Sequence, residues 1–408
     1  MTTTSLAGAS FLSDPLVVDV LRLLSADGGE ARVIGGAVRN ELMGQPVTGD
    51  IDIATTLEPD EVLARAAAAG MQSAPTGIEH GTVTLIGRHR VVEVTTLRED
   101  IETDGRHAVV RFGTDWAADA ARRDFTINAL SVDAAGHLYD TVGGLTDIAA
   151  RRVRFIGAAD QRIAEDRLRV LRFFRFHASY GSGAPDAEGL SAAIRARHDL
   201  GGLSAERVGQ EMRKLVMAVG AAPTLRAMQE GGILPLVAAG VGDLGSFERL
   251  VADAAAPDDA SLRFAVLLVR VQEDVDRTVR RFRLSNRERD RMTDVLAAAE
   301  QLVHGTIIGD RVAVYRRGRE AVLGGLTLLA ARNRLPAAEI AARRDAVTAF
   351  TPPVFPLGGR DVVDLGVGRG PAVGVILRDL ERWWLAEDFR PDETALRRRL
   401  QSMIAAQQ

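Results

Sequence analysis

The stretch Val33 to Thr55 reads V-I-G-G-A-V-R-N-E-L-M-G-Q-P-V-T-G-D-I-D-I-A-T. An apolar pair runs into Gly35-Gly36, a short helical pattern follows, and Asp50 and Asp52 alternate with Ile51 and Ile53. Alternation of this kind marks a strand on which every second side chain shares a face. Two carboxylates on one face raise each other's pKa unless a cation separates them. Mg²⁺ takes one or two carboxylates and completes its shell with substrate phosphates, so the pair suits a metal site for phosphoryl or nucleotidyl transfer. The plain alternative is a solvated D-x-D at a strand end. The glycines weigh against it, because bare backbone N–H groups at Gly35-Gly36 and a helix N-terminus would face the same cleft and bind phosphate oxygens.

Together, G-G-A-V-R and D-I-D-I-A-T resemble the first motif of bacterial tRNA nucleotidyltransferases, the CCA-adding and poly(A) polymerase class of the polymerase-beta superfamily. The resemblance implies an α+β fold: a polymerase-beta-like head with a mixed sheet, then an all-α neck, body and tail. One departure is visible. The family carries an Asp after the Arg, and this chain carries Asn40.

Composition sets the outer bounds. The chain has 408 residues, 46% of them apolar, enough for two to four domains with ordinary cores. Without cysteine, disulfides and thiolate metal sites are excluded. Residues 1–11 show no basic segment followed by an apolar run, and no stretch reaches membrane-span length, so a soluble cytoplasmic protein with no membrane partner is expected. The net charge of −4 excludes a uniformly basic nucleic-acid coat but not local patches. Lys214 is the sole lysine among the 51 basic residues; arginine suits bidentate phosphate contacts, though coding bias gives the same composition. Oligomeric state is left open.

From Asp14 to Leu24 the pattern predicts a capped amphipathic helix, and Glu58 to Gly70 another. His80 to Ile86 and Val91 to Thr95 alternate as a hairpin. Glu93 lies inside the second apolar run, where a lone carboxylate needs a partner. A structural ion pair would supply one; the resemblance instead makes Glu93 the third acid of the metal site. Residues 98–114, R-E-D-I-E-T-D-G-R-H-A-V-V-R-F-G-T, read as a polar surface loop turning at Asp104-Gly105-Arg106. In the resembling family a loop with a D-G-R core is tied to adding the final A.

Arg122 to Leu130, R-R-D-F-T-I-N-A-L, reads on its own as Asp124 capping an apolar helix. By resemblance it is the family motif whose Arg123 contacts the triphosphate and whose Asp124 reads the ribose hydroxyls. Leu138 to Asp147 looks like the last strand and exit turn of the head. From Gln161 the chain becomes helical, and Asp166, Arg169, Arg172 and Arg175 recur every third residue, predicting one helix face. A salt-bridged solvated helix is one reading. The other is chemical: a carboxylate beside a guanidinium complements the amino donor and ring-nitrogen acceptor of cytosine and adenine, and opposes uracil and guanine. The resembling family is understood to select CTP and ATP with this E-D-x-x-R pair, here Asp166 and Arg169, while Arg172 and Arg175 match its nucleotide-contacting arginines.

Glu206 to Leu215, after a Ser204 cap, reads as a brace for the helix carrying Asp166. Beyond residue 216 the chain is Ala-, Leu- and Arg-rich with helical periodicity; Arg277 to Arg291 and Arg311 to Arg319 are either solvated faces or contacts for an RNA backbone. Asp361 to Gly370, D-V-V-D-L-G-V-G-R-G, imitates the first motif of an S-adenosylmethionine-dependent methyltransferase, but too little chain remains for that fold.

The expected layout is a head at 1–150, a neck with the base-selecting helix at 151–220, a body at 221–300 and a tRNA-contacting tail at 301–408. The expected activity is sequential addition of C, C and A to a tRNA 3′ end, with Asp50, Asp52 and Glu93 catalytic, Asp50 and Asp52 holding Mg²⁺ in a two-metal site, and Gly35, Gly36, Arg39 and Arg123 on the triphosphate of CTP or ATP. A poly(A) polymerase, an A-adding partial enzyme and a catalytically silent RNA-binding relative are the alternatives.

Overall fold

The computed structural model describes residues 5–47, 49–104, 107–304 and 307–406. The chain divides into two compact units, Met1–Gly242 and Asp243–Gln408.

The first unit opens with α1 (Pro15–Leu24), whose N-terminus is capped as its sequence predicts: the Asp14 carboxylate accepts from the Leu16 and Val17 N–H groups. β1 (Ala31–Ile34), α2 (Gly36–Leu42), β2 (Ile51–Thr55), α3 (Pro59–Ala68), β3 (Gln72–Gly77), β4 (Thr82–Ile86) and β5 (Val91–Thr96) follow. With β6 (Arg98–Asp104), β7 (His107–Phe112), α4 (Trp116–Ala121), β8 (Ser131–Val132) and β9 (Leu138–Tyr139) they complete the sheets. The main sheet has seven strands in the order β3-β4-β5-β2-β1-β8-β9. It is mixed: β2 and β5 run parallel, and the other neighbours are antiparallel. The parallel pair places the site, because its register sets Asp52 directly beside Glu93. Ile51, Ile53, Val92 and Val94 are buried on the opposite face while both carboxylates are exposed, as strand alternation requires.

Residues 98–104 and 107–112 form a two-stranded ribbon, not the loop expected from their polarity. β6 and β7 pair from Arg98↔Phe112 to Asp104↔His107. The β-branched run at Val109-Val110 supplies strand preference that the surrounding charges mask in the sequence. Gly105 and Arg106, the centre of the expected turn, lie outside the described residues.

After α5 (Gly144–Ala149) the first unit is helical: α6 (Ala159–Glu165), α7 (Arg169–Tyr180), α8 (Ala187–Arg195), α9 (Ala205–Met217), α10 (Ala221–Glu230) and α11 (Leu234–Ala238). Here the single helix expected from residue 161 is corrected. It breaks at Asp166, which is extended (φ −147°, ψ 109°), and the Asp166 carboxylate accepts the Leu168 N–H at 3.0 Å. Aspartate commonly competes with helix continuation by such local bonds. Phe125, Phe155, Phe173 and Phe176 then form one aromatic core, with centroids 4.9 Å (Phe125–Phe155), 5.1 Å (Phe125–Phe176) and 5.4 Å (Phe155–Phe173) apart. It seats α7 against the Arg122–Leu130 segment.

The second unit contains α12 (Leu244–Ala252), α13 (Ala260–Leu268), α14 (Gln272–Phe282), α15 (Asn286–Leu302), α16 (Ile307–Arg317), α17 (Arg319–Ala331), α18 (Ala337–Ala349), α19 (Gly359–Val363), α20 (Pro371–Ala386) and α21 (Glu393–Ala405). Several arginines of its basic stretches are committed to carboxylates: Arg277 to Asp274, Arg289 to Asp290, Arg291 to Asp259 and Arg311 to Asp388. The segment imitating a methyltransferase motif is the short helix α19, started by the Asp361 carboxylate accepting the Gly358 N–H at 2.8 Å. No strand leads into its glycines, which removes that reading. No helix of the described residues is long and apolar enough to cross a membrane.

Asp147, fully buried in α5, ties the head's exit to its functional segment. It accepts from Thr126 Oγ1 at 2.6 Å, Arg152 Nε at 2.7 Å and Arg154 Nε at 3.0 Å. Asp147→Ala is expected to destabilise the first unit by about 3 kcal/mol, since it strands a buried hydroxyl and two guanidinium partners; urea unfolding followed by circular dichroism measures it.

Candidate active site

A cleft of about 510 Å³ in the first unit is lined by Gly35, Gly36, Arg39, Asp52, Arg123, Asp124, Asn128, Asp166, Leu168, Arg169, Arg172, Phe176 and Arg207. Its size is that of a small-ligand site. Nine of the twelve residues expected from the sequence are in this lining; Asp50, Glu93 and Arg175 are not.

Asp52 enters from β2, and Glu93 stands beside it on β5. Although Asp52 is exposed as a residue, the protein around its carboxyl desolvates it and raises it above its usual value; Glu93 and Asp50 add to the rise, and Arg123 partly offsets it. Among the described residues none of the three carboxylates has a hydrogen-bonded or ion-paired partner, so this acidic edge is repulsive as it stands. Its all-oxygen donor set fits a hard divalent cation. No group of three acidic or histidine side chains among the described residues is close enough to cage a metal unaided. Mg²⁺ does not require such a cage, because one or two carboxylates suffice when phosphate oxygens and water complete the shell.

The glycine turn differs from expectation in one respect. Gly35 has φ +69°, a conformation that favours glycine, and caps α2. Its N–H is not bare, however; it donates to the Leu130 carbonyl at 3.2 Å. A Cβ on Gly35 would stand 3.7 Å from the Asn128 carbonyl oxygen and 4.0 Å from Arg123 Nη1, and one on Gly36 3.6 Å from Arg39 Nη2, all ordinary contacts, so it is the positive φ that calls for glycine at position 35.

Arg123 and Arg122 share one buried carboxylate. Asp119 on α4 accepts from Arg123 Nη2 and Arg122 Nε, each at 2.8 Å. Burial alone would push the Asp119 carboxyl up, but these two arginines hold it below the usual range. Arg162 of α6 donates to the Arg123 carbonyl at 2.7 Å and fixes the backbone there.

Asp124 is not a helix cap; only the single 3₁₀ turn Thr126–Asn128 follows it. Its Oδ1 accepts from the Phe125 N–H at 2.9 Å and from Asn128 Nδ2 at 3.2 Å, and its Oδ2 accepts from Arg172 Nε at 2.9 Å and from Arg172 Nη2. All four acceptor positions of the carboxylate are thus filled. Burial would raise its pKa, yet Arg172, Asn128 and the Phe125 N–H together lower it.

Asp166 and Arg169 do not lie on one helix, and they do not pair with each other. Arg207 of α9 donates to Asp166 at 2.6 Å. Arg169, the first residue of α7, donates to Glu165 and, at 2.8 Å, to the Arg162 carbonyl. Carboxylate and guanidinium are held separately at the mouth of the cleft. Arg175 sits behind Arg172, donating to Glu211 of α9 with its guanidinium carbon 4.0 Å from the Phe176 ring centroid. The stretch expected to brace Asp166 therefore does so through Arg207, and Glu211 extends the brace to Arg175.

Sequence reading missed Asp119, Arg162, Asn128, Arg207, Glu211 and Tyr180 as site residues. Asp119 carried a signal, three and four positions before the two arginines on the same helical turn. Arg207 and Glu211 carried the same i,i+4 spacing. Tyr180 had none.

Within the first unit, the head is of the nucleotidyltransferase class described by the poly A polymerase head domain family, which matches residues 31–154. The chain is 33% identical over 399 residues to the mitochondrial CCA tRNA nucleotidyltransferase 1 of Danio rerio, spanning 95% of this chain and 90% of that protein. It is 29% identical over 373 residues to the CCA-adding enzyme of Latilactobacillus sakei, spanning 89% of this chain and 91% of the relative. The crystal structure of the Bacillus stearothermophilus CCA-adding enzyme in complex with CTP superposes with a TM-score of 0.78 at 26% identity, covering 96% of this chain and 97% of that one. The chain belongs to the CCA-adding enzyme family of tRNA nucleotidyltransferases.

Asp119 yields a pH prediction. Its folded pKa is lowered, so its contribution is complete above the unfolded value of about 3.9 and is lost as pH falls through the lower folded one. Asp119→Asn is expected to cost about 2 kcal/mol near pH 7 and progressively less below about pH 4. Urea midpoints of both proteins across that range should converge on the acid side.

Proposed function

We propose that the chain adds C, C and A in turn to the 3′ end of tRNA, taking CTP and ATP and releasing pyrophosphate without a nucleic-acid template. The observation that supports the reading is the cleft itself, where Asp52 of an acidic strand edge, two glycines, Arg39, Arg123 and Arg172, and a separated Asp166/Arg169 pair meet within one unit of a CCA-adding family member. The tRNA 3′-hydroxyl oxygen bonds to the α-phosphorus, the bond from that phosphorus to the β-bridging oxygen breaks, and pyrophosphate leaves while the hydroxyl proton is lost.

Asp50 and Asp52, with Glu93 alongside, would hold Mg²⁺, which when bound supplies positive charge at the attacking oxygen and at the leaving pyrophosphate. The remaining work falls to the chain. Gly35 and Gly36 leave space for the triphosphate against Arg39 and Arg123. Arg172 keeps one donor on Asp124, gives up the other acceptor position of that carboxylate to a ribose hydroxyl and turns the freed donor to the nucleotide, with Arg175 supporting it from behind. Arg169 donates to the ring nitrogen of cytosine or adenine while Asp166 accepts from the exocyclic amine. Uracil and guanine present a carbonyl and an N–H in those places and set acceptor against acceptor.

The test uses a tRNA transcript ending before CCA, with Mg²⁺. Two added nucleotides with CTP alone and three with CTP and ATP together are expected. A ladder of A residues from ATP alone would make the protein a poly(A) polymerase, a single A added only to a CC-ending transcript would make it a partial enzyme, and no extension would favour an RNA-binding relative. Asp50→Ala is expected to lower incorporation at least about a hundredfold while CTP binding survives, because charge stabilisation in the transition state is lost and ground-state contacts are not; single-turnover rates and equilibrium binding separate the two.

A further inference from the structure

The arginines around the cleft divide by what holds them. Arg123 is paired with Asp119, Arg169 with Glu165, Arg172 with Asp124, Arg175 with Glu211 and Arg207 with Asp166. Arg39 is the exception: among the described residues no carboxylate forms an ion pair with it. Its acceptors are all neutral. Nε and Nη2 donate to Asn40 Oδ1 at 3.2 and 2.9 Å, Nη2 also donates to the Tyr180 hydroxyl at 2.8 Å, and Nη1 donates to Asn128 Oδ1. The Tyr180 ring lies against the guanidinium, 3.8 Å from carbon to centroid. Arg39 is only 6% exposed. Asp124 acts on it from beyond ion-pair distance but is itself paired with Arg172, so Arg39 remains a buried cation without a carboxylate of its own, which is unfavourable until an anion reaches it.

Asn40 is what sets this state. Arginine only donates and the Pro46 carbonyl only accepts, so the amide has one orientation that satisfies both. Its Oδ1 faces Arg39 and its Nδ2 donates to the Pro46 carbonyl at 3.1 Å. A carboxylate at this position would neutralise Arg39 and set an oxygen against the Pro46 oxygen. The turn ahead of Asp50 is thus fitted to an amide.

We propose that Asn40 is a positioning residue for nucleotide binding: with Asn128 and Tyr180 it holds Arg39 through neutral acceptors alone, so that the guanidinium charge is left for the phosphates of the incoming nucleotide to neutralise. This rests on the nucleotidyltransferase reading of the cleft. Three consequences separate it from a merely structural role. The effect falls on nucleotide affinity for CTP and ATP alike, since the β- and γ-phosphates are common to both. It is larger for a carboxylate than for simple truncation. And it acts through Arg39.

The experiment compares Asn40→Asp and Asn40→Ala, each alone and combined with Arg39→Gln, in tRNA extension and in calorimetric binding of CTP and of inorganic pyrophosphate. Asn40→Asp is expected to raise KM for both nucleotides and weaken pyrophosphate binding about tenfold, with kcat changed about threefold or less, as expected for one charge-assisted contact. Asn40→Ala, which keeps the charge and loses only orientation, is expected to cost about threefold. In the Arg39→Gln background the difference between the two substitutions should vanish. The proposal is overturned if Asn40→Asp binds pyrophosphate within about twofold of the parent, or if its penalty is the same with and without Arg39. Binding of CTP and pyrophosphate is read without turnover, so failure of the parent protein to extend tRNA would count against the functional reading and leave this test standing.

Discussion

The contact between Asp124 and Arg172 is the joint on which the first unit depends. Asp124 belongs to the segment leading into β8, Arg172 to α7, which begins at Arg169, and the two meet through a forked guanidinium–carboxylate bond. Asn128 and the Phe125 N–H fill the other carboxylate oxygen. Partial burial makes such a pair costly if either member is lost and specific while both remain. Beneath it the four phenylalanines pack the same two segments together, so polar registry and apolar adhesion act on one pair of elements.

Charge is distributed around the cleft in two ways. On the sheet side three carboxylates have no ion-paired cation among the described residues, and desolvation and mutual repulsion push the Asp52 carboxyl up against a partial offset from Arg123. On the helical side Arg123, Arg169, Arg172, Arg175 and Arg207 each have a carboxylate partner, and Arg39 has none in ion-pair contact among the described residues. Under the proposed function, a nucleoside triphosphate carrying Mg²⁺ would be complementary to both, its cation to the acidic edge and its phosphate oxygens to Arg39. The site is therefore strained in opposite senses at its two ends, which favours binding the charged pair together over binding either part alone.

Much of this was legible in the sequence because periodicity and chemistry agreed. The alternation of Asp50 and Asp52 with isoleucines gave β2, and Glu93 within Val91 to Thr95 gave the neighbouring strand. The register that joins Asp52 to Glu93 is a consequence of long-range parallel pairing, which no local pattern encodes. The errors have local causes. Spacing by three suggested one continuous helix from Asp166 to Arg175, but the Asp166 carboxylate bonds the Leu168 N–H and stops the preceding helix. Charges in residues 98–112 hid a ribbon whose pairing depends on backbone bonds. The N–H of Gly35, expected to be free for phosphate, is taken by Leu130, a residue nearly a hundred positions away. Tyr180 could not be found at all, since only the fold returns the end of α7 to Arg39.

The aromatic core has a bearing on how the chain can be divided. The matched head ends at residue 154, and the rings that bury Phe125 and Phe155 come largely from Phe173 and Phe176, beyond that point. Cutting the chain there would leave two phenylalanine rings facing water and Asp124 without its guanidinium. The nucleotidyltransferase head is thus not a portable cassette that could be excised and joined to another RNA-binding partner. Its smallest transferable piece includes α7, whose Phe173 and Phe176 complete the core under the head.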